Sequence, residues 1–315
     1  MLKRIVLGLL VASVVLTAGS ADAAMLGAAQ DYNLFILGDV NLSNTDAEGR
    51  VAAGGNATFE NYSVASKLST STANALVVGG NLGFTNGTVT GDLHVGGSTG
   101  LTRVNVTGGT FHDEPIDFTT AGASLNALSF FLASQPSTGT VGAGPLGLTL
   151  TGNSNALNVF NLTAAQLASA NNNGLNINAP VGSTVVINVD GASHSLANFQ
   201  MYVNGSASES NPLINSILFN FANATNLTDS NVSVYGSILA PNAALDFGYL
   251  HVNGTLIGAS LTGHVEVHNY PFTGTLPQPV PEPSSILLLG FCGLLLAFSP
   301  HLRGICHRPG SNERT

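Results

Sequence analysis

A turn followed by a short strand recurs through the first third of the chain, and this unit constrains the fold more than any other feature. The units open at Leu37, Ala53, Val78, Thr90 and Thr107. In each unit the second residue is a glycine, usually beside Asn, Asp or a second glycine, and alternating apolar and polar side chains follow. Glycine accepts the positive φ of a tight corner, and Asn or Asp can bond the neighbouring backbone there. Because the units lie about 11 to 25 residues apart, they predict stacked coils of β-strand.

The middle of the chain differs from the coils on either side of it. Residues 116–135 carry apolar side chains at near-helical spacing and precede Pro136, which predicts a helix with Thr119 or Thr120 as its N-cap. A second helix is predicted near residues 162–170. The coil pattern then returns in the last third. The sequence therefore predicts a mainly β, β-helix or solenoid-like body with a helical insertion.

Composition narrows the class of partner. The body, residues 24–280, has Arg50, Lys67 and Arg103 as its only full cations against fourteen Asp and Glu side chains, so its net charge is −11. This charge argues against nucleic acid as a partner. Both cysteines, Cys292 and Cys306, lie outside the body, which must therefore be held together by packing and backbone ladders.

The N-terminus has the three parts of a secretory signal. Lys3 and Arg4 precede an apolar stretch over residues 5–16, and Ala21-Asp22-Ala23 supplies the small-x-small pattern that signal peptidase cleaves. We expect residues 1–23 to be a signal peptide and the chain to be exported.

The C-terminus, residues 277–315, combines Pro281-Glu282-Pro283, an apolar run over residues 286–298 and a basic tail with Arg303 and Arg308. A helix of thirteen residues reaches about 20 Å, less than the bilayer core of about 30 Å. This order resembles the PEP-CTERM sorting signal of Gram-negative bacteria. The resemblance implies a tether in the inner membrane, processing by an exosortase-type enzyme, and delivery to the cell surface or extracellular matrix. The alternative is an ordinary weak membrane anchor.

A second resemblance covers nearly all of residues 24–276. Its motifs are Asn33-Leu34-Phe35-Ile36-Leu37-Gly38-Asp39, Glu48-Gly49-Arg50-Val51-Ala52-Ala53-Gly54-Gly55-Asn56, Gly236-Ser237-Ile238-Leu239-Ala240-Pro241-Asn242-Ala243, Asn253-Gly254-Thr255-Leu256-Ile257-Gly258 and His268-Asn269-Tyr270-Pro271-Phe272. This segment resembles the choice-of-anchor A family. That resemblance implies a surface-attached adhesive domain with a β-helical fold and no established biochemical activity.

One group of side chains has metal-ligating chemistry. Strand alternation would place His264, Glu266 and His268 on one face, where two imidazoles and a carboxylate could bind a divalent metal. A flat strand spreads the three over about 13 Å, so a neighbouring coil would have to contribute. The alternative is a polar outward row above the buried Val265 and Val267.

Acidic residues suggest two further sites. Calcium could bind among the Asn and Gly turns, although turn chemistry alone also explains the carboxylates there. These carboxylates are Asp39, Asp46, Glu48, Asp92 and Asp246. Asp113, Glu114 and Asp117 are the densest acidic group and could serve polysaccharide cleavage, but their position before the predicted helix favours a role at its positive end.

The sequence as a whole predicts a non-enzymatic surface or matrix protein that adheres to extracellular polysaccharide or cell-surface glycans and needs no cofactor. Outward Thr and Asn rows also resemble flat ice-binding or glycan-binding faces. Two alternatives remain open: a secreted carbohydrate-active enzyme, either lyase or hydrolase, on a β-helix, and a purely structural matrix component.

Overall fold

Short strands joined by tight corners wind the first part of the chain into coils that stack on one another. The structure is a computed structural model, and it describes residues 26–277. After a 3₁₀ turn at Gly27–Ala29, the strands are β1 (Leu34–Ile36), β2 (Val40–Ala47), β3 (Val51–Ala53), β4 (Ala57–Val64), β5 (Leu76–Val78), β6 (Leu82–Val89), β7 (Leu93–Val95), β8 (Thr99–Val106) and β9 (Thr110–Phe111). Each strand pairs in parallel with its counterpart one coil later.

Each coil has three sides. The short strands β1, β3, β5, β7 and β9 form one side, which we call face A. Each long strand bends near its middle, so its first half lies on face B and its second half on face C. The bends occur at residues with positive φ, namely Asn44, Asn61, Asn86 and Arg103. An Asn side chain tolerates this left-handed conformation better than most residues do, which explains three of these four positions.

The second part of the chain repeats this architecture after a helix. Its elements are α1 (Phe118–Ala133), β10 (Thr140–Gly144), β11 (Gly147–Thr151), β12 (Leu157–Thr163), α2 (Ala164–Ala168), β13 (Gly174–Asn178), β14 (Thr184–Asp190), β15 (Ser193–Ala197), β16 (Gln200–Val203), a 3₁₀ turn at Ile214–Ser216, β17 (Ile217–Asn220), β18 (Asn226–Ser230), β19 (Val232–Tyr235), β20 (Ser237–Asn253) and β21 (Leu256–His268). Strands β10, β11, β13 and β16 form a separate four-stranded sheet.

The two parts meet in the middle of the stack. Leu34 of β1 pairs with Leu256 of β21 on one side and with Val51 of β3 on the other. The chain therefore begins at the centre, winds to one end, returns through α1 to the opposite end, and winds back until its last coil rests on its first. Face A becomes one continuous parallel ladder in the order β12, β14, β17, β20, β21, β1, β3, β5, β7 and β9.

Two cores hold the structure together. The larger lies inside the coils, where one side chain of each alternating pair points inward and aromatic rings such as Phe59 and Phe84 pack with centroids 5.2 Å apart. The smaller lies between face A and α1, where Phe118 of the helix packs against Phe35 of β1 at 5.4 Å. The helix covers a face that would otherwise be apolar and exposed, which explains why face A can be hydrophobic on both sides.

These findings confirm the predicted β-helix with a helical insertion. The predicted N-cap of the helix was wrong: Asp117 caps α1, and its carboxylate accepts the Thr120 N–H at 2.9 Å. The second helix is shorter than predicted and begins with a capping box between Thr163 and Gln166. Within the described range, no helix is both long enough and apolar enough to cross a membrane. The predicted signal peptide at residues 1–23 and the sorting signal lie outside the described residues, apart from residue 277.

Candidate binding surface

Face B carries a row of outward positions in register across eight coils, six of them occupied by small polar residues and two by glycine. The row runs through neighbouring pairs in strict register: Ser195, Thr228, Asp246, Thr262, Asn41, Thr58, Gly83 and Gly100. All but Thr228 are exposed. With about 4.8 Å between strands, eight rungs extend over about 34 Å. The row is therefore long enough to meet an extended polymer at several points.

The core determines which residues reach this surface. In β2 the side chains of Val40 and Leu42 are buried, so Asn41 between them must point outward. In β4 the buried Ala57 and Phe59 leave Thr58 outward in the same way. A shift of one residue in either strand would expose the core, so burial fixes the register of the polar row.

A second outward row lies beside the first on the same face. It consists of Ser43, Glu60, Thr85 and Thr102, again in register. Together the rows offer hydroxyl and amide groups with few charges, the exceptions being Asp246 and Glu60. Such a surface can donate and accept hydrogen bonds along its length.

Ladders of side-chain hydrogen bonds stiffen the edge between faces B and C. The Asn61 amide donates to Asn44 Oδ1 at 3.0 Å, and the Asn86 amide donates to Asn61 Oδ1 at 3.0 Å. The Arg103 guanidinium donates to Asn86 Oδ1 and completes the row. Each bend is thereby tied to the next.

The edge between faces A and B is tied through the backbone. Asp39 Oδ1 accepts the Asn56 N–H at 2.7 Å, Asn56 Oδ1 accepts the Asn81 N–H at 3.0 Å, and Asn81 Oδ1 accepts the Ser98 N–H at 2.8 Å. Two polar ladders therefore border face B along β2, β4, β6 and β8, and they preorganise this part of the face.

The acidic residues proposed as calcium ligands take part in similar contacts. Asp92 Oδ1 accepts the Gly109 N–H at 2.7 Å, Asp46 accepts the Ser66 hydroxyl at 2.5 Å, and Glu48 accepts the Asn269 N–H at 2.9 Å. Asp39 accepts the Asn56 N–H at the edge between faces A and B, as described above. Turn and corner chemistry thus accounts for these four carboxylates, whereas Asp246 lies in the exposed row of face B.

The acidic group before α1 also has structural contacts. Asp113 bonds His94 at 2.6 Å, and Asp117 caps the helix, where hydrogen bonds from Thr120 lower the pKa of its carboxyl. Glu114 lines a cleft of about 570 Å³ beside Gly54. The helix-end interpretation therefore applies to Asp117, whereas Asp113 is held by His94.

The structure brings together only two of the three residues of the predicted metal group. Glu266 and His268 lie together, with His268 Nε2 at 2.9 Å from Glu266 Oε1. His264 is turned away: its Nδ1 lies 2.9 Å from the Ser43 carbonyl oxygen. The strand is not flat, because Gly263 has φ of +128° and places His264 at the bend between faces B and C.

His251 takes the place that the sequence had suggested for His264. It lies on β20 and pairs in register with Glu266 on β21, and its Nε2 is 3.6 Å from Glu266 Oε2. The repeat could have predicted the position of His251. Leu250-His251-Val252-Asn253 has the same alternation as Val265-Glu266-Val267-His268 one coil later, which aligns His251 with Glu266. The residues of the predicted sorting signal, Pro281, Glu282, Pro283, Arg303 and Arg308, lie outside the described residues.

Comparison with known protein families decides the class of this domain. A family model described as "Putative Ice-binding-like adhesive domain" matches residues 25–269. The chain belongs to this family. The adhesive domain expected from the sequence is therefore confirmed, and the description is one of binding rather than catalysis. The finer assignment to choice-of-anchor A stays a prediction.

Solved structures similar to this adhesive domain include ice-binding proteins. One from an Antarctic Biological Consortium has 11% identity and a TM-score of 0.37, with 86% of this chain and 95% of that chain covered. One from the Antarctic ascomycete Antarctomyces psychrotrophicus has 16% identity and a TM-score of 0.30, with 80% and 98% covered. A domain of Shewanella frigidimarina ice-binding protein 1 has 12% identity and a TM-score of 0.30, with 80% and 97% covered. No curated protein matches the chain.

Proposed function

We propose that this chain is an exported surface adhesin that binds extracellular polysaccharide or cell-surface glycans along face B. The observation that carries the proposal is the register of the polar row across eight coils. A polysaccharide is a repeating chain of hydroxyl groups, and an extended one can contact many rungs at once. Each hydrogen bond contributes only about 0.5–1.5 kcal/mol net, so useful affinity requires several together. A rigid row provides them with a smaller loss of the protein's conformational entropy on binding.

Charge indicates which polymers fit. The body carries a net charge of −11, and Asp246 and Glu60 add carboxylates to face B itself. A strongly anionic polymer would be repelled, so the proposed ligand is neutral or weakly charged. The row also mixes Ser, Thr, Asn, Asp and Gly and does not repeat a single side chain. This irregularity favours a flexible polymer as the ligand over the regular lattice of ice.

Delivery to the surface forms the second part of the proposal. The motifs at both ends support secretion through the signal peptide and then processing of the PEP-CTERM-like segment by an exosortase-type enzyme in a Gram-negative bacterium. The choice-of-anchor A motifs support the same destination. Replacing Pro281-Glu282-Pro283 with alanines should reduce the amount of protein at the cell surface, and an unchanged surface level would contradict this route.

Binding is tested with matched sets of alanine substitutions on two faces. Asn41→Ala, Thr58→Ala and Thr262→Ala together remove three neighbouring groups of face B. Ser63→Ala, Thr88→Ala and Asn105→Ala together remove three groups in register on face C. Retention on immobilised neutral polysaccharides should fall on the order of 10- to 100-fold for the first set only.

The same assay separates the alternatives. Equal loss for both sets, or retention that survives the face B set, would contradict the binding surface. Release of new reducing ends or unsaturated ends from the polymer would favour a carbohydrate-active enzyme. Retention on ice without retention on any polysaccharide would identify ice as the ligand, and no retention on either would favour a structural role.

A further inference from the structure

We propose that His251, Glu266 and His268 on face C bind a single zinc(II) ion. Their ligand atoms all lie within 4.8 Å of one another. His268 Nε2 is 2.9 Å from Glu266 Oε1, and His251 Nε2 is 3.6 Å from Glu266 Oε2. This proposal concerns a different face from the polysaccharide row and does not depend on it.

The distances suit zinc. Zinc bonds imidazole nitrogen and carboxylate oxygen at about 2.0–2.2 Å, which places the donors of a tetrahedral site about 3.3 Å apart. The observed separations of 2.9 and 3.6 Å lie on either side of that value. Two imidazoles with one carboxylate are a recognised zinc set, whereas calcium requires oxygen ligands throughout.

The orientation of His268 supports the same conclusion. Its Nδ1 makes a close hydrogen bond with Oδ1 of Asn253, which is fully buried. A neutral ring that donates from Nδ1 directs the lone pair of Nε2 at the Glu266 carboxylate, so two acceptors face each other. Either a second proton on the ring or a metal ion between the two groups resolves this conflict, and a carbonyl oxygen behind the ring is a usual outer partner of a metal-bound histidine.

A metal-free arrangement of the same atoms is also defined. If the Asn253 amide is reversed, its NH₂ group donates to His268 Nδ1, and His268 Nε2–H then donates to Glu266. In that case zinc would have to displace the proton of His268 Nε2 and lose the support of the Asn253 carbonyl oxygen, so it would bind more weakly. The two arrangements therefore differ in a measurable property.

The coils hold the three ligands in place before any ion arrives. His251 pairs with Glu266, and Asn253 pairs with His268, across the β20–β21 ladder. The two imidazole rings meet edge to face with centroids 5.9 Å apart, and Tyr249 packs against His251 at 5.5 Å. Side-chain exposures of 33%, 32% and 15% for His251, Glu266 and His268 leave the group accessible to an ion from solvent.

The fourth coordination position is expected to hold water. Among the described residues, the ligand group contains three His, Cys, Asp or Glu side chains and not four. His251 also lines a cleft of about 360 Å³ together with Asn198, Gln200 and Ser233. The site would thus resemble an open zinc centre rather than a closed structural one.

The test is a zinc titration of the full-length chain, purified and stripped of metal with a chelator. Calorimetry at neutral pH should show one zinc ion bound per chain. Loss of outer partners alone costs 10- to 100-fold in affinity, so His251→Ala or His268→Ala should cost on the order of 100-fold or more. Glu266→Gln keeps the shape of the side chain and should also weaken binding.

His264→Ala is the matched control, because it removes a histidine from the same strand but not from the cluster. It should leave zinc affinity unchanged. Cobalt(II) gives a second readout that does not require variants, since a tetrahedral site produces intense visible absorption bands. No zinc uptake, no such bands, unchanged affinity in both His251→Ala and His268→Ala, or equal loss in His264→Ala would overturn the proposal.

Discussion

Asn220 connects helix α1 to face A, and its removal should destabilise the whole domain. The side chain is completely buried. Its amide donates to Asn188 Oδ1 at 2.8 Å and to the Ser129 carbonyl oxygen of α1 at 2.9 Å, and its Oδ1 accepts the Ser129 hydroxyl. Asn188 in turn donates to Asn161 Oδ1 at 2.8 Å and to the Leu132 carbonyl oxygen at 2.9 Å. One polar ladder thus joins three coils to the helix.

The cost of Asn220→Ala follows from the groups that it leaves behind. Asn188 Oδ1 and the Ser129 hydroxyl would lose their partners in an interface that excludes water. A buried group left without a partner costs about 1–3 kcal/mol, so we expect a loss of about 3–4 kcal/mol in the free energy of unfolding. Asn161→Ala removes the same type of side chain from the exposed end of the ladder. Water can replace its contacts, so it should cost at most about 1 kcal/mol.

Urea denaturation followed by circular dichroism measures both values. Hydrogen exchange of the α1 amides gives an independent readout, because a helix that has lost its anchor should exchange faster than the coils. If Asn220→Ala costs no more than Asn161→Ala, the ladder does not anchor the helix and the reasoning fails.

Three further predictions concern the coils. Asn61→Ala should lower the free energy of unfolding by about 1–2 kcal/mol, because alanine disfavours the φ of +51° there and both ladder bonds are lost. Asn61→Gly accepts this φ, so in the same urea assay it should recover the conformational part of the loss. Gly87→Ala would place a Cβ 2.0 Å from the Tyr62 carbonyl oxygen and should cost about 2–3 kcal/mol; Gly83→Ala, with nothing within 4 Å, is the control and should be nearly neutral. Burial raises the pKa of Asp229 above its ordinary 3.8. The carboxyl therefore binds its proton more tightly in the folded protein than in the unfolded chain. The free energy of unfolding falls as the pH rises from the ordinary pKa through the raised one. Asp229→Asn should therefore stabilise the protein at neutral pH, and unfolding midpoints that show no advantage at neutral pH, or a larger one in acid, would contradict this sign.

Much of the coil architecture could be predicted from local chemistry. Glycine beside Asn or Asp predicted the corners, and the alternation of apolar and polar residues predicted the inward rows. Each of these patterns depends only on residues that are close together in the sequence. The position of each coil in the stack could not be predicted this way. Leu34 pairs with both Leu256 and Val51, and nothing local distinguishes these partners, since every coil presents the same short apolar strand on face A.

The members of the candidate metal group could not all be predicted from local sequence either. Simple alternation selected His264 because it assumed a straight strand, and the bend at Gly263 moved that residue to a corner. His251 came from the neighbouring coil, which only the pairing of β20 with β21 brings close. Asp117 was a third case: its carboxylate reached the free N–H of Thr120, so the helix began one residue after Asp117 rather than at a threonine.

The most direct test of the binding surface is a nuclear magnetic resonance titration of threonine methyl groups with soluble fragments of a retained polysaccharide. Thr58, Thr85, Thr228 and Thr262 lie on face B, and Thr88 lies on face C. The account predicts chemical-shift changes concentrated on the first four, with the Thr88 signal unchanged. Changes centred on Thr88, with the face B methyl signals unmoved while the polymer is bound, would contradict it.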